Sequence, residues 1–376
     1  MSEKDLTEGI LNMPTKRDAS LKHSQHYAEV LLHADQLYEK GGIGIEKGLH
    51  FFDENRRNIE IGQQWSADHA EMDEDAATLA LEFPERGANC LYLRQKPADR
   101  IRWLQKALQI AHDRGFGRAE ASILGKLGLA FQEMRQFPNA IEYHVAQLKL
   151  AESLKDQEVW AEAACNLGIV YDDLNMLETA QEWYTAVLKI SDKTSNPKIK
   201  ERAYGNLGLV YIKQGKFSDA VNCFEHHLRL ARRHGDLWSE SNALTNLGIA
   251  CMKLRQYDQA GGYFQESLVI NKKLTDLEGE AKNWSYIGSL RNELGDLDGA
   301  VVAYQRRIEL AQKMKDSRGE AIGCWNLGEV LIKKEKCKEG IELLFKCVEY
   351  EKSVGDPAWE EDWKTAQHME EICNTQ

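Results

Sequence analysis

Apolar residues along most of this chain recur at the spacing that places them on one face of an α-helix. Residues 206–230 contain two such stripes, which are Leu207, Val210 and Tyr211, and then Phe217, Ala220, Phe224 and Leu228. Gly215 lies between the stripes, where a tight turn requires a positive φ angle. The pattern predicts two helices joined by a short turn. No apolar run approaches the length of a membrane span.

The helix-pair pattern returns with a period of 40 residues. One position of every repeat is glycine, preceded by Leu or Ile: Gly128, Gly168, Gly208, Gly248, Gly288 and Gly328. A small residue follows at Ala140, Ala180, Ala220, Ala260, Ala300 and Gly340, and then a bulky one at His144, Tyr184, Phe224, Phe264, Tyr304 and Leu344. Because glycine and alanine have almost no side chain, they allow the second helix to lie close against the first. These columns are therefore predicted to form the scaffold.

The column residues Leu207, Gly208, Tyr211, Ala220 and Phe224, with their equivalents in the other repeats, resemble the tetratricopeptide repeat (TPR). That repeat has a usual period of about 34 residues. The longer unit of this chain, with Asn-Leu-Gly in the first helix and Gly-Asp between units, is most similar to the repeats of the LGN/Pins adaptors. Similar units form the sensor arms of bacterial STAND-type NTPases. The resemblance implies an all-α fold, a right-handed superhelical TPR solenoid of antiparallel helix pairs.

The repeat also predicts how the chain is divided. Six repeats are expected over residues 117–156, 157–196, 197–236, 237–276, 277–316 and 317–356, and Asp or Asn closes each of them. Residues 1–20 carry many charges and lack the layout of a secretory signal, so we expect a mobile N-terminal tail. Residues 21–116 are predicted to form irregular N-terminal helical or TPR-like units. Residues 357–376 are predicted to be a C-terminal capping helix, because the end of a repeat array needs a polar outer face.

Within the irregular region the helical pattern is weaker. One helix is expected before the Gly41-Gly42 pair and one after it, and a further helix is expected over residues 72–94. Together with the repeats and the C-terminal helix, the pattern predicts about 17 helices.

Composition narrows the possible partners. The formal net charge of −12 argues against nucleic acid, since phosphate binding needs a dense basic surface. The eight cysteines include no Cys-x-x-Cys pair and no His at metal-finger spacing, so we expect free thiols in a reducing cytoplasm. Neither a metal nor a cofactor is predicted.

The candidates for catalysis or ligand chemistry are weak. The glycine-rich residues 41–48 lack the Lys-Ser/Thr ending of a phosphate loop, and no apolar strand precedes them. His226 and His227 are adjacent and therefore point in different directions around a helix, which disfavours a metal site. Cys165 has no base in the nearby sequence that would activate it. The chain is accordingly predicted not to be an enzyme.

The position before each Leu-Gly or Ile-Gly pair is the strongest candidate for binding. It holds Lys126, Asn166, Asn206, Asn246, Tyr286 and Asn326. Asparagine has a lower helix propensity than Leu, Lys or Ala, so its recurrence at one helical position needs an explanation. The amide could bond a neighbouring helix and set the stacking, or it could bond the backbone of an extended peptide. The resemblance favours peptide binding, because in LGN-like and kinesin-light-chain repeats this asparagine contacts the backbone of the ligand.

Cations share the same helical face near the middle of the array. They are Arg202, Lys213, Lys253 and Lys282, and Asn242 stands at the position equivalent to Arg202. These charges could simply be solvated, or they could select acidic residues of a partner through partly screened contacts. The predicted partner-binding residues are Asn166, Arg202, Asn206, Lys213, Asn242, Asn246, Lys253, Lys282, Tyr286 and Asn326.

The sequence therefore predicts a cytoplasmic protein-binding module that takes an extended or helical segment of a partner protein in a concave groove. One alternative is a regulatory subunit that senses a trigger and controls a separate effector protein, as the resemblance to STAND sensor arms implies. The other is an enzyme whose site lies in the first 116 residues. Membranes and nucleic acids are not expected partners.

Overall fold

The computed structural model of this protein describes residues 15–41, 43–191 and 196–375. These residues contain eighteen α-helices and no strand, so the predicted all-α class is confirmed. The chain divides into two compact units, Met1–Ile199 and Lys200–Gln376, which we call the N-terminal half and the C-terminal half. Most of the predicted N-terminal tail, Gly42 and residues 192–195 lie outside the described residues.

The helices follow one another with short connections. The N-terminal half contains α1 (Lys16–Glu39), α2 (Ile43–His69), α3 (Glu74–Arg86), α4 (Ala88–Arg94), α5 (Pro97–Asp113), α6 (Gly117–Glu133), α7 (Phe137–Leu154), α8 (Gln157–Asp173) and α9 (Leu177–Ile190). The C-terminal half contains most of α10 (Pro197–Lys213), and then α11 (Phe217–His234), α12 (Leu237–Lys253), α13 (Tyr257–Leu274), α14 (Leu277–Glu293), α15 (Leu297–Met314), α16 (Ser317–Lys333), α17 (Cys337–Val354) and α18 (Trp359–Thr375). From α6 to α17, each 40-residue repeat holds one pair of helices.

The glycine of each first helix faces the bulky residue of the second helix. A Cβ atom added to Gly208 would lie 2.4 Å from Cε1 of Phe224, which is fully buried. The glycines of the first, second, fourth and fifth repeats face rings in the same way. In the last repeat, Leu344 replaces the ring, and a Cβ atom on Gly328 would lie 2.8 Å from the backbone oxygen of Gly340. The predicted scaffold role of these columns is confirmed.

Residues with positive φ recur at two positions of the repeat. The turn inside a pair contains Gly215 (φ 73°), as predicted, and its equivalents in the other repeats are Gly295 (φ 78°), Arg135, Asn175, Arg255 and Glu335. The connection between pairs contains Lys155, Gly235, Thr275, Lys315 and Gly355 with positive φ. The geometry of these short connections between helices thus imposes a positive φ whether or not the residue is glycine.

The Asp or Asn that closes one repeat caps the first helix of the next. The Asp156 carboxylate accepts hydrogen bonds from the backbone N–H groups of Glu158 and Val159, at 3.1 and 3.2 Å. Asp236 accepts one from the N–H of Ser239 at 3.1 Å. An acceptor at this position satisfies N–H groups that have no partner inside the helix. This column therefore sets where each repeat begins.

The N-terminal region differs from the expectation in two places. Helix α1 begins at Lys16, inside the expected tail, because Thr15 and Asp18 form a capping box and Arg17 donates to Asp73 at 2.7 Å. The single helix expected over residues 72–94 is broken at Gly87. A Cβ atom at Gly87 would lie 2.3 Å from a methyl carbon of Leu31, so the break admits a buried side chain of α1. The break gives two helices where one was expected, so the described residues contain eighteen helices instead of about 17.

The expectation that all cysteines are free thiols is wrong for two of them. Cys337, at the start of α17, forms a disulfide with Cys373, near the end of α18, with Cα atoms 5.7 Å apart. Helix α18 folds back along α17, which brings together residues that are 36 positions apart in sequence. No local spacing signals such a pair. The other six cysteines are buried and form no disulfide.

No helix in the described ranges is both long enough and apolar enough to span a membrane.

Candidate functional site

The predicted binding residues lie on one face of the first helices. On α10 this face carries Arg202, Asn206, Leu209 and Lys213, which are spaced so that they share one side of the helix. We call this surface, with its equivalents every 40 residues, the first-helix face, and we call the position of Asn206 the ladder position.

In the C-terminal half, three ladder asparagines keep their amides available. Asn206, Asn246 and Asn326 are each partly exposed. None of their side-chain amides has a hydrogen-bond partner among the described residues. Asn242, on the same face of α12, is also partly exposed and has no partner there. These asparagines therefore do not link neighbouring helices through side-chain hydrogen bonds.

The other ladder positions are occupied differently. Asn166 is only 2% exposed, and its Nδ2 atom is buried without a hydrogen-bond partner. The ring of Tyr286 stacks on that of Phe264, with centroids 5.5 Å apart. Lys126 forms an ion pair with Glu85. The structure thus places the predicted residues on the same helical position but does not give them the same environment.

The predicted cations are all exposed. Lys253 has no carboxylate within ion-pair distance in the described part of the chain. Lys282 pairs with Glu278 at 2.6 Å, one turn earlier on α14, but both side chains are more than half exposed. An exposed pair of this kind contributes about 1 kcal/mol at most, so Lys282 can exchange its partner readily. Arg202 and Lys213 are exposed residues of α10.

A pocket of 510 Å³ lies on the first-helix face of the N-terminal half. Its floor and walls are mostly apolar and come from α3, α4, α5, α6 and α8. The apolar lining residues are Pro84, Ala88, Leu91, Tyr92, Trp103, Leu104, Leu129, Ala130 and Ile169, and the polar ones are Gln95, Arg100, Lys126, Gln132, Glu133 and Asp173. A volume of a few hundred Å³ with few polar groups is typical of ligand sites.

The cations of this pocket are already paired inside the protein. Arg100 forms an ion pair with Glu133, donates to the backbone oxygen of Tyr92 at 3.2 Å, and lies over the Tyr92 ring at 5.0 Å. Lys126 is held by Glu85.

The remaining charge of the pocket is that of Asp173. The Asp173 carboxylate accepts from Nε2 of Gln132 at 2.6 Å and has no cationic partner among the described residues. The Oε1 atoms of Gln95 and Gln132 are buried without a hydrogen-bond partner. Because these two atoms are inaccessible, the uncompensated group that the pocket presents is the Asp173 carboxylate.

Sequence reasoning missed this pocket. Helical spacing alone puts Ile169 and Asp173 on the first-helix face, but Leu91, Trp103 and Leu104 belong to the irregular region, where the repeat pattern is weak. A usable signal was Leu129, an apolar residue that is 45% exposed on an otherwise regular helix. An exposed leucine alone, however, is common on protein surfaces.

No cluster of three His, Cys, Asp or Glu side chains in the described residues could hold a metal ion. Burial raises the pKa of the thiols of Cys90 and Cys223 to about 12, which leaves both protonated and unreactive. His226 stacks on Tyr204 with centroids 4.6 Å apart, whereas His227 is buried beside Glu201.

Comparison with protein families identifies the repeats. A model described as tetratricopeptide repeat matches residues 119–193 and 239–313, and a second model with the same description matches residues 203–237. A comparison with curated proteins by sequence finds no match.

Solved structures of related fold agree with these matches. The apo form of the quorum sensor NprR from B. thuringiensis has a TM-score of 0.61 at 14% identity, over 87% of this chain and 97% of that one. A STAND protein with a tetratricopeptide repeat sensor from Pyrococcus horikoshii has a TM-score of 0.58 at 15% identity, over 90% of this chain and 55% of that one. A Rap protein complexed with competence and sporulation factor has a TM-score of 0.53 at 15% identity, over 94% and 99%. At such low identity the likeness concerns the fold.

Proposed function

This chain is a tetratricopeptide-repeat protein, and we propose that it is a binding module that takes a segment of a partner protein along its first-helix face. The proposal rests on the side-chain amides of Asn206, Asn246 and Asn326. Each is partly exposed and uncommitted to any partner in the described residues. An asparagine amide both donates and accepts, as a peptide backbone does, so a row of them suits an extended chain.

The cations beside the ladder add a preference for charge. Arg202, Lys213, Lys253 and Lys282 share the first-helix face with the asparagines of the C-terminal half. We propose that they favour a partner segment with acidic residues at this point. Exposed charges are screened by salt, so this preference should weaken as ionic strength rises.

A display library tests the proposal while the natural partner is still unidentified. The full-length chain is immobilised and used to select binders from random peptides, whose affinity is then measured by fluorescence polarisation. Asn206→Ala combined with Asn246→Ala should weaken binding by about 30-fold, since each lost hydrogen bond costs about 1 kcal/mol. The thermal unfolding midpoint should hardly change.

The matched control removes two exposed amides from second helices, Asn222→Ala with Gln265→Ala. It should bind the selected peptides as the parent does. If the ladder variant unfolds at a much lower temperature, its asparagines belong to the scaffold and the proposal fails.

A second role uses the same surface. Since proteins named as a quorum sensor and as a STAND sensor share this fold, the chain could act as a regulatory subunit that releases a separate effector when its groove is occupied. This role predicts that an effector protein co-purifies with the chain and dissociates when a selected peptide is added. Tetratricopeptide repeats are generally non-catalytic, and we propose no enzymatic activity.

A further inference from the structure

We propose that the pocket of the N-terminal half holds an apolar anchor side chain of a basic partner segment, with a neighbouring lysine or arginine of that segment meeting Asp173. This inference rests on the proposed function and names the partner chemistry that one part of the surface selects. It differs from the acidic preference proposed for the C-terminal half.

The shape and the apolar lining call for the anchor. Leu91 and Leu104 are buried in the lining of the pocket, while Leu129 and Tyr92 remain 45% and 55% exposed. Filling the pocket would remove these apolar surfaces from water, and a leucine-sized or aromatic side chain would gain most from doing so. The 510 Å³ volume has room for such a side chain together with the adjacent backbone.

The charged groups of the pocket favour a positive charge in the bound segment. Glu133 already neutralises Arg100, and Glu85 neutralises Lys126, so neither cation is left to attract an acid. Asp173 is the charged lining residue whose charge is not compensated by the described residues. A basic residue would compensate that charge.

An acidic segment would instead be repelled by Asp173, whose charge no cation among the described residues neutralises.

The experiment uses a library of peptides displayed on phage and the full-length chain, with variants at the pocket. Selected peptides should be enriched in a large apolar residue beside Lys or Arg. Leu129→Lys, which puts a cation into the pocket, should weaken these peptides by tenfold or more. Leu93→Lys is the matched control, since Leu93 is 44% exposed on α4 but does not line the pocket, and it should leave affinity within about twofold.

The charge is tested separately. The parent should bind a selected peptide about threefold more tightly than the same peptide with its basic residue replaced by glutamine, as expected for an exposed charge pair. Asp173→Asn should remove that difference while retaining the apolar anchor. The control is Asp113→Asn. Like Asp173, Asp113 accepts a hydrogen bond from a glutamine, at 2.8 Å, but this glutamine is on the same helix and Asp113 lies outside the pocket.

The outcomes separate this inference from the proposed function. Peptides that lose affinity in the Asn206→Ala, Asn246→Ala variant but not in Leu129→Lys would support the binding module and overturn the pocket inference. Enrichment of acidic rather than basic residues beside a Leu129-dependent anchor would also overturn it. If no selected peptide depends on either surface, both the proposed function and the pocket inference are wrong.

Discussion

The two halves carry the same repeat but present different chemistry at the same positions. In the N-terminal half the ladder position holds paired Lys126 and buried Asn166, and the last turn of the first helices holds acidic Glu133 and Asp173. In the C-terminal half the ladder is formed mainly by uncommitted asparagines, and the position of the acids holds Lys213, Lys253 and Lys333, with Glu293 as the exception. The backbone that carries these residues is equivalent, with glycine against a bulky residue in every pair.

This difference shows which positions of such a repeat array determine its binding specificity. The buried columns must be kept because they hold the helices together, whereas the first-helix face can change from one repeat to the next without altering the fold. In the N-terminal half the irregular helices add a wall of Leu91, Trp103 and Leu104, which turns an open face into a pocket. A single ligand preference for the whole chain is therefore not expected.

The largest expected effect on stability concerns how the C-terminal helix and the N-terminal helix are held. The C-terminal helix is joined covalently through Cys337 and Cys373, whereas the N-terminal helix is held by contacts such as that of Arg17 with Asp73. Closing a loop with a sequence separation of 36 stabilises by about 4 kcal/mol in the chain-entropy model. Reducing the disulfide should lower the free energy of urea unfolding by about that amount.

Limited proteolysis shows where the reduced protein opens. Cleavage should increase within residues 337–375 and remain unchanged near α1. The double variant Cys337→Ser with Cys373→Ser is the control and should not respond to the reductant. Equal unfolding curves for the parent with and without reductant would contradict this difference between the ends.

A methyl group on the glycine column should damage both halves alike. Gly248→Ala would place Cβ 2.4 Å from a carbon of Phe264, and Gly128→Ala would place it 2.3 Å from a carbon of His144. Since overpacked cores lose typically 1–3 kcal/mol, we expect each variant to lose about 3 kcal/mol in urea unfolding.

The control for the glycine variants is Gly262→Ala on α13, where nothing lies within 4 Å of an added Cβ. It should be neutral or stabilising by up to about 1 kcal/mol, because alanine favours a helix. A loss confined to one half would show that the scaffold is not equivalent.

Acid should distinguish the buried histidines. Neither ring nitrogen of His144 has a hydrogen-bond partner, and burial lowers its pKa to about 4. Its pKa in the unfolded chain is near 6.5, so the unfolded state binds more protons between these values and stability falls as the pH drops through that range. Between pH 7.5 and 5 the histidine should cost about 2 kcal/mol of unfolding free energy, as measured with urea.

His144→Phe, which copies the residue at Phe224 and Phe264, should remove that acid sensitivity. The exposed His50 provides the control, and His50→Gln should leave the pH dependence as it is. In the C-terminal half, burial also lowers the pKa of His227, but Glu201 opposes the shift. An unchanged acid response in His144→Phe would show that other groups dominate it.

The smallest effect concerns the turns. Gly215→Ala should lose about 1 kcal/mol of unfolding free energy, because alanine is strained at φ 73°. Arg255→Gly, at the equivalent turn with φ 61°, should change stability in the opposite direction by up to about 1 kcal/mol. Thermal unfolding of both variants and of the parent measures the difference. Two shifts of the same sign would contradict the equivalence of the turns.

Much of the fold could be predicted from the sequence because the same packing residues recur in six repeats. The period, the glycine and alanine columns and the positive φ at Gly215 and Gly295 all follow from helices that must pack closely over short turns. These are local constraints, and each is visible within one 40-residue stretch. The shared face of the candidate residues follows in the same way from helical spacing.

Only the tertiary structure decided which of those residues are available and what surrounds them. Asn166 and Asn206 stand at equivalent positions, yet one is buried and the other is partly exposed. Leu129 forms part of a pocket because Leu91 and Trp103 approach it from helices that lie outside the repeat. Cys337 meets Cys373 because α18 folds back on α17. Burial, partnership and enclosure depend on contacts between residues far apart in the chain, and no period in the sequence encodes them.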